Sequence, residues 1–170
     1  VKLLNIKLNI AHMKKILFVC LGNICRSPAA QGIFLKLLEQ ENLKGKFQVD
    51  SAGLLDYHEG ESYDPRMIAH ASKRGYNLIG TSRPITHEDF ENYDLILAMD
   101  DEIFNQLKYF DGHNKYSHKI FKMIDFYSKN DFNEVPDPYY SNKEGFETVL
   151  NILEDACKGL LKKLKDEHDK

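Results

Sequence analysis

The sequence predicts an α/β fold: a four-stranded parallel sheet in three layers, with helices on both faces and a tight loop between strand 1 and helix 1. Three observations predict it. Short apolar runs alternate with segments of helical spacing along the chain. The first run, residues 16–20 (ILFVC), is uninterrupted, as in a strand buried on both faces. A tight turn containing Gly22 and Asn23 joins that run to a Ser-Pro helix start.

The elements follow in order. Ser27 reads as an N-cap and Pro28 as the first helical residue. Ala30, Ile33, Phe34, Leu37 and Leu38 recur at helical spacing, so this helix lays one face on the sheet. Residues 46–50 (KFQVD) read as a second strand, with Ser51, Ala52 and Gly53 at its end. Residues 54–65 are a loop rich in acids and tyrosines, and Pro65 opens a helix over 66–75 that Gly75 closes. Residues 93–99 (YDLILAM) form a third buried strand. Asp100 and Asp101 cap a helix carrying Ile103, Phe104 and Leu107. Residues 119–123 make a weaker fourth strand, and 124–141 a long polar and aromatic loop. Ser141 and Glu144 form a capping-box pattern ahead of the last helix. Its apolar stripe is Phe146, Val149, Leu150, Leu153, Cys157, Leu160, Leu161 and Leu164.

Composition bounds the function. The chain has 170 residues, 42% hydrophobic and 29% charged, enough for one domain with its own core. Its net charge of −3 argues against a nucleic-acid partner held by bulk positive charge. No stretch approaches 18 uninterrupted apolar residues, so no membrane span is expected. Cysteines at 20, 25 and 157 are too few for a disulfide scaffold, which points to a reducing, cytoplasmic setting. Residues 1–12 lack a clean apolar core and do not read as a signal peptide. Met13 leads at once into the first strand, so 1–12 are expected to lie outside a single domain spanning 13–170. The seven histidines lack ligand spacing, and neither a metal nor a cofactor is expected. No feature assigns an oligomeric state.

The chemistry concentrates in Cys20-Leu21-Gly22-Asn23-Ile24-Cys25-Arg26-Ser27. A cysteine ends a strand, and an arginine six residues later starts a helix. The loop amides and the helix N-terminus then form a cradle for a tetrahedral oxyanion. That positive field favours the Cys20 thiolate, a nucleophile toward bound phosphate. Arg26 can grip two phosphate oxygens, Ser27 can donate a hydrogen bond to the sulfur, and Asn23 suits a left-handed turn position. A Walker-type GxxxxGK[ST] pattern is absent.

These residues resemble the signature of the low-molecular-weight protein tyrosine phosphatases. The resemblance runs in order through VCLGNICRSP, VDSAG (49–53), ITHEDF (85–90), LILAMD (95–100) and PDPYY (136–140), over residues 14–165. It implies hydrolysis of phosphotyrosine in proteins through a phosphocysteine on Cys20, with phosphate as an inhibitory product. Asp137 would be the acid that protonates the leaving oxygen, and then the base for the attacking water. Tyr139 and Tyr140 would wall the cleft, with Tyr57 opposite. Ser51 and Asp100 would brace the loop. The resemblance also implies a reversible Cys20–Cys25 disulfide under peroxide. Gly80 stands where animal members carry a histidine, so a different bracing network is expected there.

Two rival activities share this resemblance. Arsenate reduction needs further cysteines near the site, and none occurs between residues 26 and 156. Arginine phosphatases typically carry threonine where Ile24 stands. Ile24 makes a more apolar pocket floor, which favours a phenyl ring.

Overall fold

The computed structural model describes residues 13–168. The expectation that 1–12 form an extension lies outside those residues. Four parallel strands make one sheet in the order β2-β1-β3-β4: β1 (Lys14–Cys20), β2 (Phe47–Gly53), β3 (Leu95–Ala98) and β4 (Ile120–Lys122). Five α-helices cover it: α1 (Arg26–Gln40), α2 (Pro65–Lys73), α3 (His87–Asn92), α4 (Asp101–Phe110) and α5 (Lys143–His168).

The alternation of β1 explains the layers. Ile16 and Phe18 face a core built with α1, α2 and α5, whereas Leu17 and Val19 face a second core with α3 and α4. All four side chains are fully buried, as a doubly covered parallel strand requires. The eight predicted stripe residues of α5 are all buried.

The boundaries carry the corrections. Strand β2 runs on through Ser51, Ala52 and Gly53, which pair with Phe18, Val19 and Cys20. This register sets Ser51 beside the loop that follows Cys20. Helix α1 begins two residues earlier than expected, with Cys25 rather than Ser27 at the N-cap. Pro28 still lies in the first turn, where a missing N–H costs nothing. The Ser141 hydroxyl donates to the Pro138 carbonyl at 2.8 Å instead of capping α5, which starts at Lys143. Helix α3 falls in a stretch that the sequence reading leaves without an element; Asp89 accepts the Thr86 N–H there at 2.7 Å, closing its first turn.

Candidate active site

Strand β1 ends at Cys20, and the sheet's carboxyl edge is where ligands bind in such folds. Residues 21–25 curl from Cys20 into α1. Asn23 takes the left-handed conformation (φ 55°) that the tight turn requires. Gly22 does not need special dihedrals; a Cβ there would sit 3.0 Å from His58 Cδ2, so its role is to make room. No side chain caps the first-turn amides of α1, whereas Asp64 caps α2 and Asp100 caps α4. The N–H groups of α1 are thus left free for an anion.

Beneath the loop, a chain of hydrogen bonds leads to the sulfur. The Asn23 amide donates to Ser27 Oγ and Ser51 Oγ, each at 2.9 Å, and Ser51 donates to Gln31 Oε1 at 2.7 Å. The Asn23 oxygen accepts the Arg83 N–H at 3.0 Å. Ser27 Oγ accepts from Asn23, and its hydroxyl has two partners in reach, Cys20 Sγ at 3.0 Å and the Ala52 carbonyl at 3.4 Å. Asn23, Ser27 and Ser51 are buried, so this arrangement is shielded from competing water.

Arg26 is buried as well. Its Nη1 donates to Asp100 Oδ2 at 2.6 Å and to the Val135 carbonyl at 3.0 Å, and its Nη2 reaches Asp137 Oδ2 at 3.4 Å. Burial opposes its charge, but the neighbouring Cys20, Asp100 and Asp137 outweigh burial and hold the guanidinium protonated above its ordinary value. Asp100 both braces Arg26 and caps α4, accepting the Ile103 N–H on its other oxygen at 2.8 Å.

The two loop cysteines differ. Burial, then the negative charge of Asp64 beside it, pushes the Cys25 thiol far up from its ordinary value. Cys25 therefore stays protonated; Cys20 Sγ lies 3.0 Å from Ser27 Oγ instead of beside a carboxylate. Cys157 is wholly buried under α5, and burial pushes its thiol up too. All three are free thiols.

The cleft above Cys20 encloses about 230 Å³. Cys20, Leu21, Gly22, Ile24, Cys25 and Arg26 line its floor, and Tyr57, His58, Asp137, Tyr139 and Tyr140 its walls. Of the expected site residues, Asn23, Ser27, Ser51 and Asp100 stand behind that lining. Tyr140 is 95% and Tyr57 76% exposed, so both are free to close on a flat ligand. Tyr139 and Tyr140 meet edge to face at 4.9 Å. A larger depression of about 430 Å³ lies between α1 and the segment after α2, but it holds neither cysteine nor uncapped helix start, so the smaller cleft is the chemical one. Among the described residues, no cluster of three or more His, Cys, Asp or Glu side chains could hold a metal ion, and no helix is long and apolar enough to cross a membrane.

Sequence reasoning misses His58, Gln31, Ser82 and Asp64. His58 forms a wall and pairs with Glu61 at 2.7 Å; Ser82 Oγ donates to the Gly22 carbonyl at 2.8 Å. Ser82 meets Gly22 across 60 residues of chain and Gln31 meets Ser51 across 20, so no local pattern marks those two; the Asp64 cap ahead of Pro65 is a local signal that could have been read. Arg83 ties the bracing layer to Asp50 and Asp89 at 3.0 and 2.9 Å. At Gly80, with φ 133°, a Cβ would press on the Tyr63 hydroxyl at 2.8 Å. A histidine there would need the loop to move.

Known proteins share this architecture. A crystal structure of a protein tyrosine phosphatase from Entamoeba histolytica, with Hepes in its active site, superposes with a TM-score of 0.87 at 46% identity, covering 91% of this chain and 99% of that one. The low molecular weight phosphotyrosine protein phosphatase of Sus scrofa is 35% identical over 152 residues, 89% of this chain and 96% of its own. A Drosophila arginine phosphatase shares the fold at 28% identity, with a TM-score of 0.83 over 89% of this chain and 98% of that one. The family model for low molecular weight phosphotyrosine protein phosphatases matches residues 15–170. With the Cys20 loop at the sheet edge and this breadth of similarity, the chain belongs to the low molecular weight phosphotyrosine protein phosphatase family.

Proposed function

We propose that the Cys20 thiolate attacks the phosphorus of phosphotyrosine in protein substrates, forming a phosphocysteine and releasing the tyrosine side chain. The observation that carries this reading is that Cys20, Arg26 and Asp137 line one cleft, with Arg26 Nη2 3.4 Å from Asp137 Oδ2. The free amides of residues 21–27 and the Arg26 guanidinium take the three phosphoryl oxygens. Arg26 commits Nη1 to Asp100 and Val135, which leaves its Nε and Nη2 edge for the substrate. Asp137 in its protonated form gives its proton to the departing phenolate. As a carboxylate it then takes a proton from the water that attacks the phosphocysteine. The thiolate leaves as phosphate forms, and the Ser27 hydroxyl stabilises the returning charge on sulfur.

Tyr57, Tyr139 and Tyr140 sandwich the substrate ring, and Ile24 and Leu21 supply apolar contact at its base. Inorganic phosphate fits the same cradle and so competes as a product. Three unpaired thiols, one of them the nucleophile, suit a reducing cytoplasm. The Ile24 side chain in the cleft supports aryl phosphate over phosphoarginine.

Hydrolysis of p-nitrophenyl phosphate at mildly acid pH tests the reading. Activity is expected without added metal and inhibited by vanadate. It should be abolished in Cys20→Ser and reduced about 100-fold or more in Asp137→Ala against phenyl phosphate. A full rate from Cys20→Ser would refute the mechanism.

A further inference from the structure

Residues 136–141 carry Asp137 in a segment without regular secondary structure, so something must hold it over Cys20. Two arginine side chains reach into it from outside. One is Arg26, whose Nη2 contact to Asp137 is long at 3.4 Å, and the Nη2 edge is what an incoming phosphate would occupy. The other is Arg66, in the first turn of α2. Its Nη2 donates to the Tyr139 carbonyl at 3.0 Å. Its guanidinium carbon lies 5.4 Å from the Tyr139 ring centre and 4.9 Å from that of Phe146 on α5. Tyr139 in turn donates its N–H to Asp137 Oδ1 at 3.1 Å.

Arg66 is itself fixed. Asp64 accepts from Arg66 Nε at 3.1 Å, from Nη2 at 2.7 Å and from the backbone N–H at 2.8 Å. Asp64 is buried, and its own N–H donates to the Ile24 carbonyl of the phosphate loop at 2.9 Å. A continuous path therefore runs from the phosphate loop at Ile24, through Asp64 and Arg66, to Tyr139 and Asp137. The planar fork of arginine allows both ends to be held at once; a lysine ammonium could not keep two bonds on Asp64 and also reach Tyr139.

The geometry points to Arg66 as a positioning residue: anchored on Asp64, it holds the Asp137 segment in register with the phosphate loop, so that proton delivery to the leaving group depends on it. This rests on Asp137 being the acid, as proposed above. Arg66 does not itself line the cleft; it touches the lining at Tyr139, whose N–H holds Asp137, so a loss confined to poor leaving groups marks an effect that passes through Asp137.

The test reads kcat/KM, which reports phosphoryl transfer to Cys20 whatever step limits turnover, over aryl phosphates whose phenols have pKa values from about 7 to about 10. A good leaving group departs without a proton; a poor one needs it. Arg66→Met should lower kcat/KM about tenfold for phenyl phosphate and less than about twofold for p-nitrophenyl phosphate, with Arg66→Lys between. In an Asp137→Asn background, Arg66→Met should add little, because the acid it places is already gone. A uniform loss across the series, no loss at all, or a full additive loss in the double variant would overturn the proposal. If Asp137→Asn alone leaves the leaving-group dependence unchanged, the acid assignment falls first and this inference falls with it. Thermal melts of each variant separate these outcomes from misfolding.

Discussion

Asn23 commits both amide hydrogens, to Ser27 and Ser51, and its oxygen accepts the Arg83 N–H. Those bonds hold Ser27 Oγ 3.0 Å from Cys20 Sγ, where the hydroxyl can donate to the thiolate that leaves in the second step. A hydrogen bond to a charged partner is worth roughly 1.5–3 kcal/mol. Removing it in Ser27→Ala should weaken the thiolate most when it is the leaving group. We expect kcat to fall about 10- to 100-fold, with a stopped-flow burst of about one p-nitrophenol per site as phosphocysteine accumulates. An unchanged kcat without a burst would show that Ser27 does not serve the second step. The spacing of Cys20, Arg26 and Ser27 is legible in the sequence because all three sit in one turn. The Ser27 N-cap reading fails for a physical reason: the hydroxyl is engaged by Asn23 and Cys20, and the helix amides are left open.

At the scale of elements, two helix features have measurable consequences. Asp64 caps α2. Burial alone would raise its pKa, but hydrogen bonds from the Arg66 side chain and backbone lower it below the ordinary carboxylate value. Its folded value thus lies below its unfolded value of about 4, so its contribution to stability is present above pH 4 and fades as pH falls through the folded value. Urea titrations of Asp64→Asn and the parent protein should differ at pH 6 and converge toward pH 3. A gap that persists or widens in acid would contradict the assignment. Gly159 on α5 meets the turn after β4 at close range, where an added Cβ would lie 2.1 Å from the Phe126 carbonyl oxygen. Gly159→Ala should cost about 1–3 kcal/mol in urea unfolding while leaving kcat per folded molecule intact. A neutral result would mean the two backbones separate freely. Periodic elements such as β1 and α5 are legible because their burial is written into spacing. Helix α3 is not: six residues with Phe90 and Asp89 as its buried members carry too little period.

The whole molecule joins two cores to one edge. Strand β1 feeds both through alternate side chains and delivers Cys20 where the layers meet solvent. Fold class and the phosphate loop are legible because they follow from apolar runs and one turn; the strand order β2-β1-β3-β4 is not, because it depends on which strands pair after folding. The Asp64–Arg66–Tyr139 path is not, since Arg66 and Tyr139 lie 73 residues apart and meet only after folding. A ligand that binds only the folded cradle must stabilise the chain by mass action, about 2.7 kcal/mol at a hundredfold excess over Kd. Inorganic phosphate should therefore raise Tm by several degrees in the parent protein and much less in Arg26→Met; an equal rise in both would place phosphate elsewhere. The central claim is covalent: phosphorus passes through Cys20 sulfur. In Asp137→Asn the p-nitrophenolate still leaves unaided, but the water has lost its base, so the intermediate must build up. Acid-quenched peptide mass spectrometry of that variant with p-nitrophenyl phosphate should find one phosphoryl group on Cys20. Turnover with Cys20 unmodified, or with the label on another residue, would contradict the account.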